Sequence, residues 1–385
     1  MNFDWPEEAE AFRVEVREFL AEHLPGELRE QLHRTGESYD PVFARAMGER
    51  NWILPDVAQE GCRPLGPAER HVLREELSRA DAPVIGTGTA AMVAHVVLAV
   101  GSDQLREELV PAIARGEVVI ALGMSEPGAG SDVAAVRTRA RPTDDGWVVT
   151  GQKMFTTNAH VADYVFVLAR TDPESERHRG LTTFLVPTDS PGFSTQAVHT
   201  VSGERTNITY FDDVGVDDRW RLGDVGRGWA ALMVALQEEH SVGFSPHLDR
   251  LLDAVDRWRR DEDGHRRGRS AGERVRQELA RAATDLEVAR LLEQRASWMQ
   301  SVGQVPVVEG PMAKLFSTEA LVRAADRLAS AIGPDALRSR GDPTAIGEGL
   351  VEHGLRHSLG TTIYAGTSEV QRNIVAQHRC GLPRA

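Results

Sequence analysis

The chain has 385 residues, 41% hydrophobic and 26% charged, which is ordinary for a soluble globular protein and long enough for two or three domains. Its formal net charge of −14 argues against nucleic acid as the main partner, so an anionic substrate must be met by a local basic pocket. Two cysteines, Cys62 and Cys380, are too few for a disulfide framework or a cysteine-rich metal site, and a reducing cytoplasm is the expected compartment.

No run reaches the roughly 18 apolar residues of a membrane span, and the acidic start MNFDWPEEAEAF does not read as a secretory signal. The 13 histidines show no clustered ligand spacing, so no metal is expected. Only Lys153 and Lys314 are lysines, which reads as a coding bias toward arginine.

In chain order, the first third is helical. Phe12, Val16, Phe19 and Leu20 recur at helical spacing, and further helical patterns follow in GPAERHVLREELSRA, in the apolar stretch over 90–100 and in LREELVPAIARGE. Near residue 118 the texture changes. GWVVTGQKMFTTNA, DYVFVLART and GLTTFLVPT are short β-branched or aromatic runs between Gly, Asp and Pro, as in a small antiparallel sheet domain that ends near RLGDVGRGWA. Long helical segments return from Trp229 onward, through LLDAVDRWRR, ERVRQELARAATDLEVARLLEQRASWMQ and KLFSTEALVRAADRLASAIG. The boundaries expected are 1–118, 119–223 and 224–385.

Three segments carry the chemistry. Residues 123–135 read GMSEPGAGSDVAA, where Pro127 fixes its own φ and Gly128 and Gly130 let the backbone turn tightly and approach a ligand. Residues 151–158 read GQKMFTTN, and residues 362–373 read TIYAGTSEVQRN. Together they resemble the signatures of the acyl-CoA dehydrogenases, flavoenzymes that oxidise an acyl thioester between its α and β carbons. The resemblance covers nearly the full length. It implies an α+β multidomain fold with an N-terminal helical domain, a central β domain and a C-terminal four-helix bundle.

The resemblance also implies FAD, with Leu122, Met124, Ser125, Gly130, Ser131, Phe155, Thr157, Gly366, Thr367 and Glu369 around it. Phe155 stands where the family usually has tryptophan, which keeps a ring for stacking. Ser131, Ala365 and His240 are the expected substrate contacts, and an electron-transfer flavoprotein is the expected electron acceptor.

Removal of an α proton needs a carboxylate within reach and donors that hold the thioester oxygen as charge develops there. Most family members place that glutamate between the tyrosine and glycine of the last segment, where this chain has Ala365. A subset carries the base on a helix of the C-terminal domain, and the matching stretch is GWAALMVALQEEHSVGF. Trp229, Leu232, Met233 and Leu236 trace an apolar face there, and the period continues onto Glu239 and His240, with Glu238 rotated about 100° away. Glu239 is the expected base, its pKa raised by apolar surroundings. Pro246 either kinks that helix or ends a turn.

The R-x-x-F-G and Q-x-x-G-G runs that complete a partner's cofactor site in homotetrameric members are missing. Arg266, Arg267 and Arg269 are the candidate substitutes for the arginine, within a stretch that otherwise reads as a polar linker. These absences resemble bacterial members built from two different chains, some acting on steroid side-chain thioesters. Homotetramer and heterotetramer both stay open, as do a carrier-protein-bound substrate and a non-catalytic subunit.

Overall fold

The computed structural model describes residues 4–59, 61–175, 177–239, 243–260 and 272–383, with no side-chain description for 237–239. It contains twelve α-helices and one eight-stranded sheet among these residues. No described helix is long and apolar enough to cross a membrane. The chain divides into two compact units, one of Glu18–Leu65 and Asp81–Glu239, the other of the described parts of Met1–Arg17, Gly66–Ala80 and His240–Ala385.

The first unit holds the sheet. Its helices are the end of α1 (Glu7–His23), α2 (Gly26–Thr35), α3 (Pro41–Glu49), α5 (Ile85–Val100), α6 (Asp103–Ala114) and α7 (Gly228–Glu239). Its strands are β1 (Ile120–Gly123), β2 (Arg139–Thr143), β3 (Gly146–Lys153), β4 (Tyr164–Arg170), β5 (Leu181–Pro187), β6 (Phe193–His199), β7 (Arg205–Val216) and β8 (Arg221–Leu222). They run in the order β6-β7-β3-β2-β4-β5-β8, with β1 also paired to β4. The sheet is mixed rather than purely antiparallel, because β1 and β2 both lie parallel to β4.

β4 and β5 read as near-continuous apolar runs because their residues are buried on both faces; Val165 to Ala169 are fully covered. The uniformly apolar α5 packs on β1 and α7. Gly228, which opens α7, is set against β5, where a Cβ would stand 2.7 Å from the Thr182 backbone. The buried side of α7 is Ala231, Leu232 and Ala235, whereas Met233 is 37% exposed. The apolar face expected from Trp229, Leu232, Met233 and Leu236 is therefore rotated, because small residues make the closest contacts.

The second unit is built from α4 (Pro67–Arg79), α8 (Ser245–Arg260), α9 (Glu273–Ser301), α10 (Glu309–Ile332), α11 (Leu350–Thr361) and α12 (Ser368–Cys380), with the start of α1. α8, α9, α10 and α11 share one core that includes Leu248, Val255, Leu279, Leu321, Leu328 and Val351. Arg79 of α4 pairs with Asp249 and Asp253 of α8, and Arg13 and Arg17 of α1 converge on Glu76. Pro246 sits in the first turn of α8, where its missing N–H costs nothing; it opens that helix and does not kink α7. The histidines also cluster: His353 and His357, one turn apart on α11, stack at 5.3 Å, and His247 of α8 stacks on His357 at 5.2 Å.

Candidate functional site

In the sheet unit, residues 123–135 leave the end of β1 as a closed turn. Glu126 and Ala129 exchange backbone bonds of 3.0 Å in both directions around Pro127 and Gly128. Neither Gly128 nor Gly130 has positive φ, and a Cβ on either would meet only open space. What they provide is bare backbone on an open face. Gly123 is needed for packing, since a Cβ there would approach Val165 to 2.8 Å. Ser131 and Asp132 are exposed; Leu122, Met124 and Ser125 are half-buried.

Two side chains that the sequence reading did not assign hold this turn. The Glu126 carboxylate accepts from the N–H of Arg137 at 2.6 Å, from the N–H of Thr138 at 2.9 Å and from Lys153 at 2.9 Å. Burial pushes that carboxyl up, but Lys153 and the two amides outweigh it and keep it below its ordinary value. Lys153, at the end of β3, is fully buried and donates also to the carbonyls of Met124 (3.2 Å) and Leu168 (2.7 Å). Burial pulls its ammonium down to about 8, against the opposing pull of Glu126. Arg170 works similarly further along, donating to the carbonyls of Ala134, Val136, Ser175, Arg177 and Arg179.

The strand β3 then turns sharply beside this loop, with the Met154 N–H donating to the Ser125 carbonyl at 2.9 Å. Phe155 and Asn158 both take left-handed backbone, φ 60° and 63°, a conformation costly for a bulky residue unless its surroundings fix it. They are fixed by Thr156, whose backbone exchanges bonds with Asn207, and by Ser38 donating to Asn158. The result is a phenylalanine ring left 61% exposed. The Thr157 hydroxyl lies 3.2 Å from that of Thr206. The structure thus brings Leu122, Met124, Ser125, Gly130, Ser131, Phe155 and Thr157 onto neighbouring segments of one unit.

In the helical unit, α11 ends at Thr361 and α12 begins at Ser368, with the Ser368 N–H returning to the Thr362 carbonyl at 3.0 Å. Ala365 (φ 54°) and Gly366 (φ 81°) form the bend. Thr367 caps α12 by accepting from the Val370 N–H. The Glu369 carboxyl is exposed and held below its ordinary value by its own backbone N–H at the helix start and by Thr367. The buried Gln371 donates to the Ala365 carbonyl at 2.9 Å, and the buried Lys314 to the Gly366 carbonyl at 2.6 Å. Sequence reasoning missed both.

Glu239 is the last residue of α7, and its side chain lies outside the described residues. His240, Arg266, Arg267 and Arg269 also lie outside them. Open bare backbone at Gly128 and Gly130, and an exposed aromatic ring on the strand end bonded to the same loop, fit a planar heteroaromatic cofactor.

Three family profiles match the chain: the acyl-CoA dehydrogenase N-terminal domain over 6–117, the middle domain over 121–214 and the C-terminal domain over 226–379. Acyl-CoA dehydrogenase FadE26 of Mycobacterium tuberculosis is 34% identical, with 100% of each chain covered. The ChsE4–ChsE5 complex from Mycobacterium tuberculosis superposes with a TM-score of 0.90 at 32% identity, and the Tcur3481–Tcur3483 steroid ACAD with 0.92 at 29%, each over 100% of both chains. A helical–β–helical fold with a cofactor-type turn defines a flavin-dependent oxidoreductase of thioesters. The chain belongs to the acyl-CoA dehydrogenase family, and its reaction is FAD-dependent α,β-dehydrogenation of an acyl-CoA.

Proposed function

We propose that this chain dehydrogenates a branched or steroid side-chain acyl-CoA as one half of a heterotetramer with a homologous subunit, using Glu239 as the base. The observation that carries the reading is the bend at Ala365: it keeps the backbone geometry of a ligand-facing turn yet has no carboxylate. A base must then come from elsewhere, and Glu239 at the end of α7 is the residue that the family resemblance supplies.

Phe155 stacks against the flavin ring, and Leu122, Met124, Ser125, Gly130, Ser131 and Thr157 line it from the sheet unit. Gly366, Thr367 and Glu369 are the further flavin contacts that the family resemblance supplies. FAD, when bound, would supply the acceptor for the hydride leaving the substrate β carbon. Glu239 takes the α proton, while the Ala365 N–H holds the thioester oxygen as negative charge grows on it. Ser131 and His240 contact the substrate, and the electrons pass on to an electron-transfer flavoprotein.

Support for the heteromer comes from two structural relatives that pair two chains, ChsE4–ChsE5 and Tcur3481–Tcur3483, and for a steroid substrate from the latter, a steroid ACAD. A cytoplasmic location is supported by two exposed cysteines without a disulfide. The test is co-expression with candidate homologous partners, followed by subunit composition and flavin count. One flavin per chain in a tetramer of this chain alone refutes the heteromeric reading.

A further inference from the structure

We propose that the only two lysines of the chain, Lys153 and Lys314, are positioning residues for the flavin: each ties a backbone carbonyl inward so that the next peptide N–H faces the cofactor. The proposal rests on the FAD reading above.

Two of 44 basic residues are lysine, and these two are 0% and 2% exposed. A coding bias toward arginine explains their scarcity but not their placement. Both sit against one of the two cofactor-type turns. At Lys153 three acceptors converge on one nitrogen, the Met124 and Leu168 carbonyls and the Glu126 carboxylate. An ammonium has three donors in a compact tetrahedral set and satisfies all of them. The planar, larger guanidinium does not fit that demand in a closed space.

The consequence for the backbone follows from peptide geometry. All described peptide bonds are trans, so a carbonyl and the following N–H point in opposite directions. With the Met124 carbonyl drawn inward to Lys153, the Ser125 N–H points outward. With the Ala365 carbonyl held by Gln371 and the Gly366 carbonyl by Lys314, the N–H groups of Gly366 and Thr367 point away from those buried donors. None of these three N–H groups has a hydrogen-bond acceptor among the described residues. They are donors with no intramolecular use, each turned away from the buried group that holds its carbonyl and so available to the carbonyl and nitrogen edge of a flavin. A cation bonded to the carbonyl also polarises the peptide, strengthening its N–H as a donor.

The test uses the purified protein stripped of flavin and then reloaded, with amide hydrogen exchange and FAD affinity as readouts. FAD is expected to slow exchange at Ser125, Gly366 and Thr367 in the unmodified chain. Lys314→Met and Lys153→Met are each expected to weaken FAD binding by about tenfold or more, the loss of one or two well-aligned hydrogen bonds. Each abolishes protection at its own turn only, with exchange in α9 and α10 unchanged. A double variant, Lys153→Met with Glu126→Leu, removes the buried pair together and guards against simple unfolding from a lone buried charge. It too should bind FAD weakly. FAD binding that leaves the three amides unprotected in the unmodified chain overturns the proposal without any variant. So do folded lysine variants that bind FAD within about twofold of the parent. Failure to bind FAD at all strikes the flavin reading instead.

Discussion

Glu293 lies on α9 within the helical core, buried, and accepts from the Ser245 N–H at 3.0 Å and the Ser245 hydroxyl at 2.6 Å. Burial pushes its carboxyl up to about 7, and Glu75 adds to this; the Ser245 bonds and Arg290 pull the other way. The folded state therefore keeps a proton that the unfolded chain releases near pH 4.5. The stabilising contribution is full below pH 4.5 and is lost as pH rises through 7. A rise from 4.5 to about 7 corresponds to about 3 kcal/mol across that window. Glu293→Gln removes the titration but keeps an acceptor for the Ser245 N–H, while the serine hydroxyl turns to accept from the amide. The variant should match the parent at pH 4.5 and exceed it by up to about 3 kcal/mol at pH 8. Urea unfolding followed by circular dichroism at both values measures this, and infrared difference spectroscopy should show one protonated carboxyl lost at pH 5.5. A stability difference that is the same at both pH values, within about 0.5 kcal/mol, refutes a raised Glu293.

The neighbouring Gly243→Ala drives a Cβ into the buried Glu293 carboxyl group and should destabilise by about 1–3 kcal/mol in the same unfolding assay. Leu328→Ala, at a fully buried core position of α10, should cost about 2–5 kcal/mol. Phe155→Ala should leave the melting temperature of the flavin-free protein nearly unchanged, because the ring is exposed, yet weaken FAD binding about three- to tenfold in a fluorescence titration.

How far the sequence revealed this arrangement depended on the kind of signal. β3, β4 and β5 were legible because their β-branched runs are bounded by Gly, Asp and Pro. β6 was not, because FSTQAVH is largely exposed on both faces and carries no hydrophobic alternation, and its partner β7 went unread with it. The turn at residues 123–135 was recognised, and its Gly128 and Gly130 leave bare backbone on an open face without left-handed φ. The clamps were illegible for a physical reason. Lys153 meets Met124 across 29 positions, and Lys314 meets Gly366 across 52, so no local spacing announces either contact. Their scarcity as lysines was the available signal, and composition alone gave it no meaning. The rotation of α7 followed from Gly228, Ala231 and Ala235, small residues that pack closer than the larger apolar side chains used to draw its face.

The central claim is that Glu239 performs the proton abstraction that Ala365 cannot. It is tested most directly by anaerobic flavin bleaching with a panel of acyl-CoA thioesters, steroid side-chain and branched ones included, for the parent and Glu239→Gln, with and without a co-expressed homologous partner. Rapid bleaching by the parent complex, lost by at least about a hundredfold in the variant while FAD content is unchanged, is the expected result. Equal bleaching by both would contradict the assignment of the base and leave the chemistry to the partner chain.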